Sequence, residues 1–270
     1  MKLKTLRTNL AIGLIAITSG YATQASAAPV FTFTEYGGFT EDVTPTIVTY
    51  SNKVLASSPP NTMGGSTTAV PNPVYSTMSW VTNLDPKSSL VLSTVTGPAP
   101  LPTAIWTTLS TLTHNNVVIP QATSWGPQDI WGRFILTDTD GANTVRLDSD
   151  EAITINFVET SNTPPCPMPN PNGSSCDDRF TFTASGLTSI PFSANDGSSW
   201  IADFRLANFI NSAQIGQTLY TAEGVSSSLD VQVQIRRVID ANPVPEPATL
   251  ALLGVGLLGL SWSRRRQMKG

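Results

Sequence analysis

The chain holds a single histidine, His114, and two cysteines, Cys166 and Cys176, among its 270 residues. That scarcity argues against zinc, whose structural sites take four ligands drawn chiefly from those two types. It argues equally against a serine hydrolase, because no Gly-x-Ser-x-Gly elbow accompanies the histidine. Between Thr113 and Asn116, His114 reads as a structural residue bonding nearby backbone at a strand end. No internal repeat of fixed period is visible, which sets solenoids and propellers aside. Long helical periodicity is missing too, apart from a turn or two near residues 200–211. Charged residues make up only 13% of the chain, and no apolar run reaches the roughly 20 residues of an ordinary membrane-spanning helix.

What is present is concentrated at the two ends. Lys2, Lys4 and Arg7 precede a short apolar stretch at 10–17, and Ala25-Ser26-Ala27 offers small residues for cleavage. These are the three parts of a secretory signal peptide covering 1–27, so Sec machinery and signal peptidase are expected partners. At the other end, residues 248–262 carry no charge. As a helix they would rise about 22 Å, short of a hydrocarbon core of about 30 Å, a mismatch that local thinning absorbs. Arg264, Arg265 and Arg266 follow at once and act as a membrane stop, since positive charge stays on the cytoplasmic side. Both ends therefore give one orientation, with the intervening domain facing outward from the inner membrane into the periplasm.

Val244-Pro245-Glu246-Pro247 stands just outside that helix. The prolines forbid helix and impose an extended backbone suited to a protease cleft. This order of VPEP, Gly/Leu-rich helix and RRR, at 242–270, resembles the PEP-CTERM sorting signal. The resemblance implies a Gram-negative bacterium and recognition by exosortase, a membrane-embedded enzyme. It further implies release or re-attachment at the cell surface or in the extracellular matrix, often beside exopolysaccharide.

Seven of the fifteen basic residues lie in the two end segments, leaving eight against eighteen of the nineteen acids at 28–241, the other being Glu246. A domain at 28–241 carrying that excess of negative charge is a poor partner for nucleic acid or anionic membranes. It suits solubility outside the cell, or divalent cations. Export places Cys166 and Cys176 in an oxidising compartment, where they bracket a nine-residue segment rich in Pro, Asn and Gly. A disulfide closing that loop stabilises by about 2–3 kcal/mol in the chain-entropy account. Residues 56–73 and 161–175 read as long loops.

Alternating apolar and polar residues recur at 30–35, 46–50, 89–96, 133–139, 152–160, 179–185 and 229–238, separated by turn formers. In the last, Leu229, Val231, Val233 and Ile235 face one way and Asp230, Gln232, Gln234 and Arg236 the other. Eight to eleven such strands predict an all-β fold, an antiparallel β-sandwich of jelly-roll type.

Three constellations could carry chemistry. Asp138, Asp140 and Asn143 open like a calcium loop, with Asp148, Asp150 and Glu151 behind them. Gly141 is fourth rather than sixth from Asp138, however, so the EF-hand pattern fails and Asp140-Gly141 reads equally as a hairpin turn. Asp177-Asp178 beside the second cysteine is another candidate for calcium. Glycoside hydrolysis would need two carboxylates across a cleft, with Trp80, Trp106, Trp125 or Trp131 against sugar rings; core burial of most of these tryptophans is the alternative.

Thr113-His114-x-Asn116 resembles the Thr-His-x-Asn signature of the THxN family of PEP-CTERM proteins. Glu159, Thr160 and Asn162, then Cys166, Cys176, Asp177 and Asp178, match that family's E-T-x-N and C…C-D-D pattern. The resemblance implies a β-rich exported domain and supplies no catalytic residue. The expected function is thus that of a non-enzymatic surface or matrix protein with no cofactor. The alternatives are a carbohydrate-active hydrolase and a calcium-dependent carbohydrate-binding module.

Overall fold

In the computed structural model the described residues are 28–41, 47–55, 73–80, 87–95, 99–118, 123–140, 143–183 and 189–238. The expected signal peptide, the Val244–Pro247 motif, the helix at 248–262 and Arg264 to Arg266 lie outside them. Among the described residues no helix is long and apolar enough to cross a membrane.

The domain is all-β and antiparallel, as the alternation predicts. Its strands are β1 (Phe31–Thr40), β2 (Val48–Leu55), β3 (Val74–Trp80), β4 (Ser88–Thr94), β5 (Ala99–Leu101), β6 (Thr107–Asn115) and β7 (Ser124–Asp138). They continue with β8 (Thr144–Val158), β9 (Asp178–Thr183), β10 (Ile190–Ser193), β11 (Ser199–Ile210), β12 (Ser212–Ile215), β13 (Thr218–Thr221) and β14 (Ser226–Arg237). Hydrogen bonding links them in the order β10-β11-β14-β6-β4-β3-β1-β7-β8-β9-β13-β12, with β2 on β3 and β5 on β1. The sandwich is therefore one sheet curled over itself, and the half around β6 faces the half around β8.

Residues 200–211, expected to hold a helical turn, lie in β11 and the turn after it. Trp200, Phe204 and Ala207 have helix-like spacing, but Trp200 to Leu206 pair continuously with β14 from Arg237 to Val231. The apolar residues on both faces of this strand hide its alternation. Among the described residues the fourteen strands also exceed the expected eight to eleven: β5, β10, β12 and β13 are only three or four residues long, and β3 and β6 are rich in Ser and Thr.

Two cores form between the layers. One gathers Trp80, Trp125, Phe157, Phe180, Leu112 and Leu219; the other gathers Phe31, Phe33, Phe134, Trp200, Val233 and Ile235. Because β6, β7, β8 and β14 each contribute to both, the cores lie at the two ends of the long strands. Three of the four tryptophans considered for sugar stacking, Trp80, Trp125 and Trp131, are buried. Trp106 instead lies under the Arg205 guanidinium, 4.0 Å from its ring centre.

Trp125 reaches its core through a break in β7, whose register against β8 shifts between Trp125 and Gln128. Gly126 makes the break at φ +140°, where a Cβ would come 2.4 Å from Asn156 Oδ1. Only glycine fits that approach.

Candidate functional site

In a strand, residues two apart share a face. At four strand ends a core residue has a polar one two positions away, at the end of the strand or just beyond it. His114 leads to Asn116, Phe157 to Glu159, Phe180 back to Asp178, and Thr221 to Glu223. All eight are buried. The first member of each pair lies in an aromatic and hydroxyl layer, and the second in a polar layer directly beyond it.

That layer is a carboxylate cluster. One oxygen each from Glu159, Asp178 and Glu223 lie within 4.8 Å of one another. The three residues are only 1%, 0% and 8% exposed. β8, β9 and β13 are hydrogen-bonded neighbours and bring their ends together, while Asn116 arrives from the facing half at the end of β6. Its Nδ2 donates to Asp178 Oδ2 at 2.7 Å, to Glu223 Oε2 at 3.0 Å and to the Ala222 carbonyl at 3.3 Å. The Thr160 backbone N–H donates to Asp178 Oδ1 at 2.9 Å.

Burial is the main force on these acids, since a charged carboxylate loses its hydration there. It pushes Glu159 well above the ordinary carboxylate range, and the neighbouring Asp178 and Glu223 push it further. The Trp80 indole N–H opposes this weakly without reaching hydrogen-bond geometry. Asp178 is also raised by burial, with the Thr160 N–H drawing it back and Glu223 raising it again. Glu223 is raised for the same reason, against Asn116 and Asn162.

Below the cluster, Trp80 stacks on His114 with ring centres 5.4 Å apart, and Phe180 meets the imidazole edge-on at 5.1 Å. His114 Nδ1 lies 2.9 Å from Thr221 Oγ1. Its partner is thus a side chain 107 positions away, not the nearby backbone expected from the sequence. Burial lowers its pKa to about 3, so the imidazole is neutral.

Cys166 and Cys176 are disulfide-bonded, and the loop they close braces the cluster. Cys176 O accepts from Thr160 Oγ1 at 2.8 Å, and Ser174 Oγ accepts from the Glu223 N–H at 3.1 Å. Asp177 points away from Asp178 into this loop, accepting from Asn172 and Ser174.

Of the sequence-derived candidates, the structure joins Asn116, Glu159 and Asp178 in one site. Thr113 lies in β6 between Val91 of β4 and Ser228 of β14, and does not share the buried face. Asp138 sits at the β7–β8 hairpin, where the backbone N–H groups of Asp140 and Asn195 each donate to one of its oxygens. Asp140 and Asn143 are exposed there. Glu223 is the member that sequence reading passed over. The signal was present in Thr221-Ala222-Glu223-Gly224, where a short strand's buried face ends in an acid just before a glycine.

A second feature is a cavity of about 120 Å³ between the halves of the curled sheet, lined among others by Glu35, Ser110, Trp131, Arg133 and Phe204. Burial raises Glu35 to about 8 against the Ser110 hydroxyl. Arg133 beside it makes a bidentate pair with Asp148, both bonds 2.7 Å long and both side chains buried.

Beyond the domain, residues 243–266 match the model of the PEP-CTERM protein-sorting motif. The chain carries a PEP-CTERM sorting signal. Such a signal makes exosortase its processing partner, a membrane-anchored precursor its first state, and the surface or exterior its destination. No curated protein matches the chain, and the carboxylate cluster has to be read from its own geometry.

Proposed function

We propose that this is a non-enzymatic surface or matrix protein that contacts exopolysaccharide after exosortase has acted on its tail. The single observation that carries the reading is the sorting motif at 243–266. Before processing, Arg264, Arg265 and Arg266 hold the tail on the cytoplasmic side, and the β domain faces the periplasm. A signal peptide at 1–27 delivers it there.

A non-catalytic domain is favoured by where its tryptophans and acids sit. A glycoside hydrolase needs two carboxylates facing across an open cleft with a sugar between them. Glu159, Asp178 and Glu223 instead crowd together below the surface, and Trp80, Trp125 and Trp131 belong to the packed interior.

Two measurements test the reading. Intact mass should show loss of the segment after Pro245–Pro247 in exosortase-positive cells and its retention in cells lacking the enzyme. The purified protein should then co-sediment with exopolysaccharide from the same cells without releasing new reducing ends. Release of reducing ends would make it a hydrolase, and failure to sediment would remove the exopolysaccharide contact.

A further inference from the structure

We propose that Glu159, Asp178 and Glu223, together with Asn116, form a calcium site that ties the β6 half of the sandwich to the β8–β9–β13 half. The inference is independent of the sorting reading and concerns the folded domain alone.

Geometry comes first. Calcium binds oxygens at roughly 2.3–2.6 Å, so ligands on opposite sides of the ion stand about 4.6–5.2 Å apart. Oxygens within 4.8 Å of one another are spaced to surround such an ion. The second observation is separate from the crowding of acids. Both oxygens of Glu159, Oε1 of Glu223 and Oδ1 of Asn116 have no hydrogen-bond partner, although these residues are at least nine-tenths buried. Native proteins seldom leave buried acceptors unmet, and four on three neighbouring residues mark the place of a missing electropositive partner. A cation meets that description.

Asn116 suits either state of the site. Its Nδ2 now faces Asp178 and Glu223. A half-turn of the amide leaves its shape unchanged and puts the unpaired oxygen there instead. Facing two carboxylates with a carbonyl oxygen requires positive charge between them.

The chemistry of the donor set selects the ion. Three carboxylates and an amide oxygen form an all-oxygen set, which suits hard cations and not zinc or copper. Magnesium requires near-ideal octahedral geometry at 2.0–2.1 Å and keeps its waters, whereas calcium accepts irregular cages of six to eight oxygens. Ligands from four separate strand ends make an irregular cage. The disulfide loop fixes two of them through Thr160 and Ser174, which orients the oxygens before the ion enters.

The test uses the full-length, oxidised chain in detergent, stripped with chelator and dialysed. Calorimetric titration with calcium chloride should show one ion per chain, with an affinity in the range of about 10⁻⁴–10⁻³ M or tighter, as in extracellular calcium modules. Thermal unfolding should move upward with calcium over the same concentrations. Glu223→Gln, the least buried change, should weaken binding at least about tenfold and abolish the thermal shift. Should Glu159→Gln fail to fold, Glu223→Gln still decides the matter. Neither heat nor thermal shift up to 10-fold above that range would overturn the site. So would a Glu223→Gln chain that binds like the parent, and an equal response to magnesium would overturn the choice of ion.

Discussion

The Asn116 amide nitrogen lies 2.7 Å from Asp178 Oδ2, joining the end of β6 to the start of β9 across 62 residues of chain. The same nitrogen reaches Glu223 Oε2, so one side chain ties together residues from both halves of the curled sheet. Removing it leaves two buried carboxyl groups without their donor, which costs about 1–3 kcal/mol. Asn116→Ala should therefore lower the unfolding free energy obtained from a urea titration by that amount. Thr113→Ala, three residues earlier on the other face of β6, should change stability by about 0.5 kcal/mol or less. Equal effects would show that the cross-sheet tie is unimportant.

Glu35 predicts a loss of stability toward alkaline pH. Its pKa is raised from 4.5 to about 8 by burial beside the cavity. The folded state then holds a proton that the unfolded chain has already released, so stability is full below pH 4.5 and declines until pH passes about 8. The comparison that isolates Glu35 is Glu35→Gln against the parent, with urea midpoints read at pH 5, 7 and 9. The variant should hold up better at pH 9 than at pH 5, relative to the parent; a constant difference would refute the assignment.

His114 carries the opposite sign. With its pKa lowered to about 3, the imidazole stays neutral in the fold while the unfolded chain takes up a proton near 6.5. Its contribution is complete above pH 6.5 and falls away as pH drops toward 3. Since the chain has one histidine, the imidazole nitrogen signals in an NMR titration need no assignment. They should stay unchanged from pH 8 to 5 in the folded protein. A midpoint near 6.5 would mean that water reaches the ring.

Arg133 and Asp148 form a buried pair whose value lies in being complete. Removing one partner strands the other charge in the interior, at a cost of about 3–5 kcal/mol. Asp148→Ala should lower the denaturant midpoint accordingly, with little dependence on salt, since water and ions do not reach the pair. A strongly salt-dependent change would place the pair at the surface.

Cutting the disulfide should loosen the cluster before it unfolds the domain. The Cys166–Cys176 bond closes a small loop, so its loss costs about 2–3 kcal/mol. Hydrogen exchange after reduction should rise first at the N–H groups of Thr160 and Glu223, which bond to Asp178 and Ser174. Uniform exchange across β1 and β14 instead would show that the loop supports the whole domain.

How far the sequence disclosed this architecture depended on the contrast between strand faces. In β14, Leu229, Val233 and Ile235 alternate with polar neighbours and the strand is plain. Even here a register shift against β6 buries Gln232 and leaves Val231 at the cavity. In β11 apolar side chains occupy both faces and the alternation vanishes. The site was legible only in fragments. Asn116, Glu159 and Asp178 each stood in a short motif, but periodicity tells which face a residue takes and not which strand ends will meet. Glu223 lies 107 residues from Asn116, and the pairing of β14 with β6, which sets Ser226 opposite Asn115, closes that distance, while β9 between β8 and β13 adds Glu159 and Asp178.

The Cys166–Cys176 bond also has a bearing on time. In the reducing cytoplasm the two thiols stay apart, and the braces through Thr160 and Ser174 have no fixed loop to hang from. A chain bound for the exterior is then easiest to thread while it is still slack. Once across, oxidation sets the loop and with it the bed of buried acids. The fold thus keeps a record of arrival, complete only in the compartment where the protein is needed.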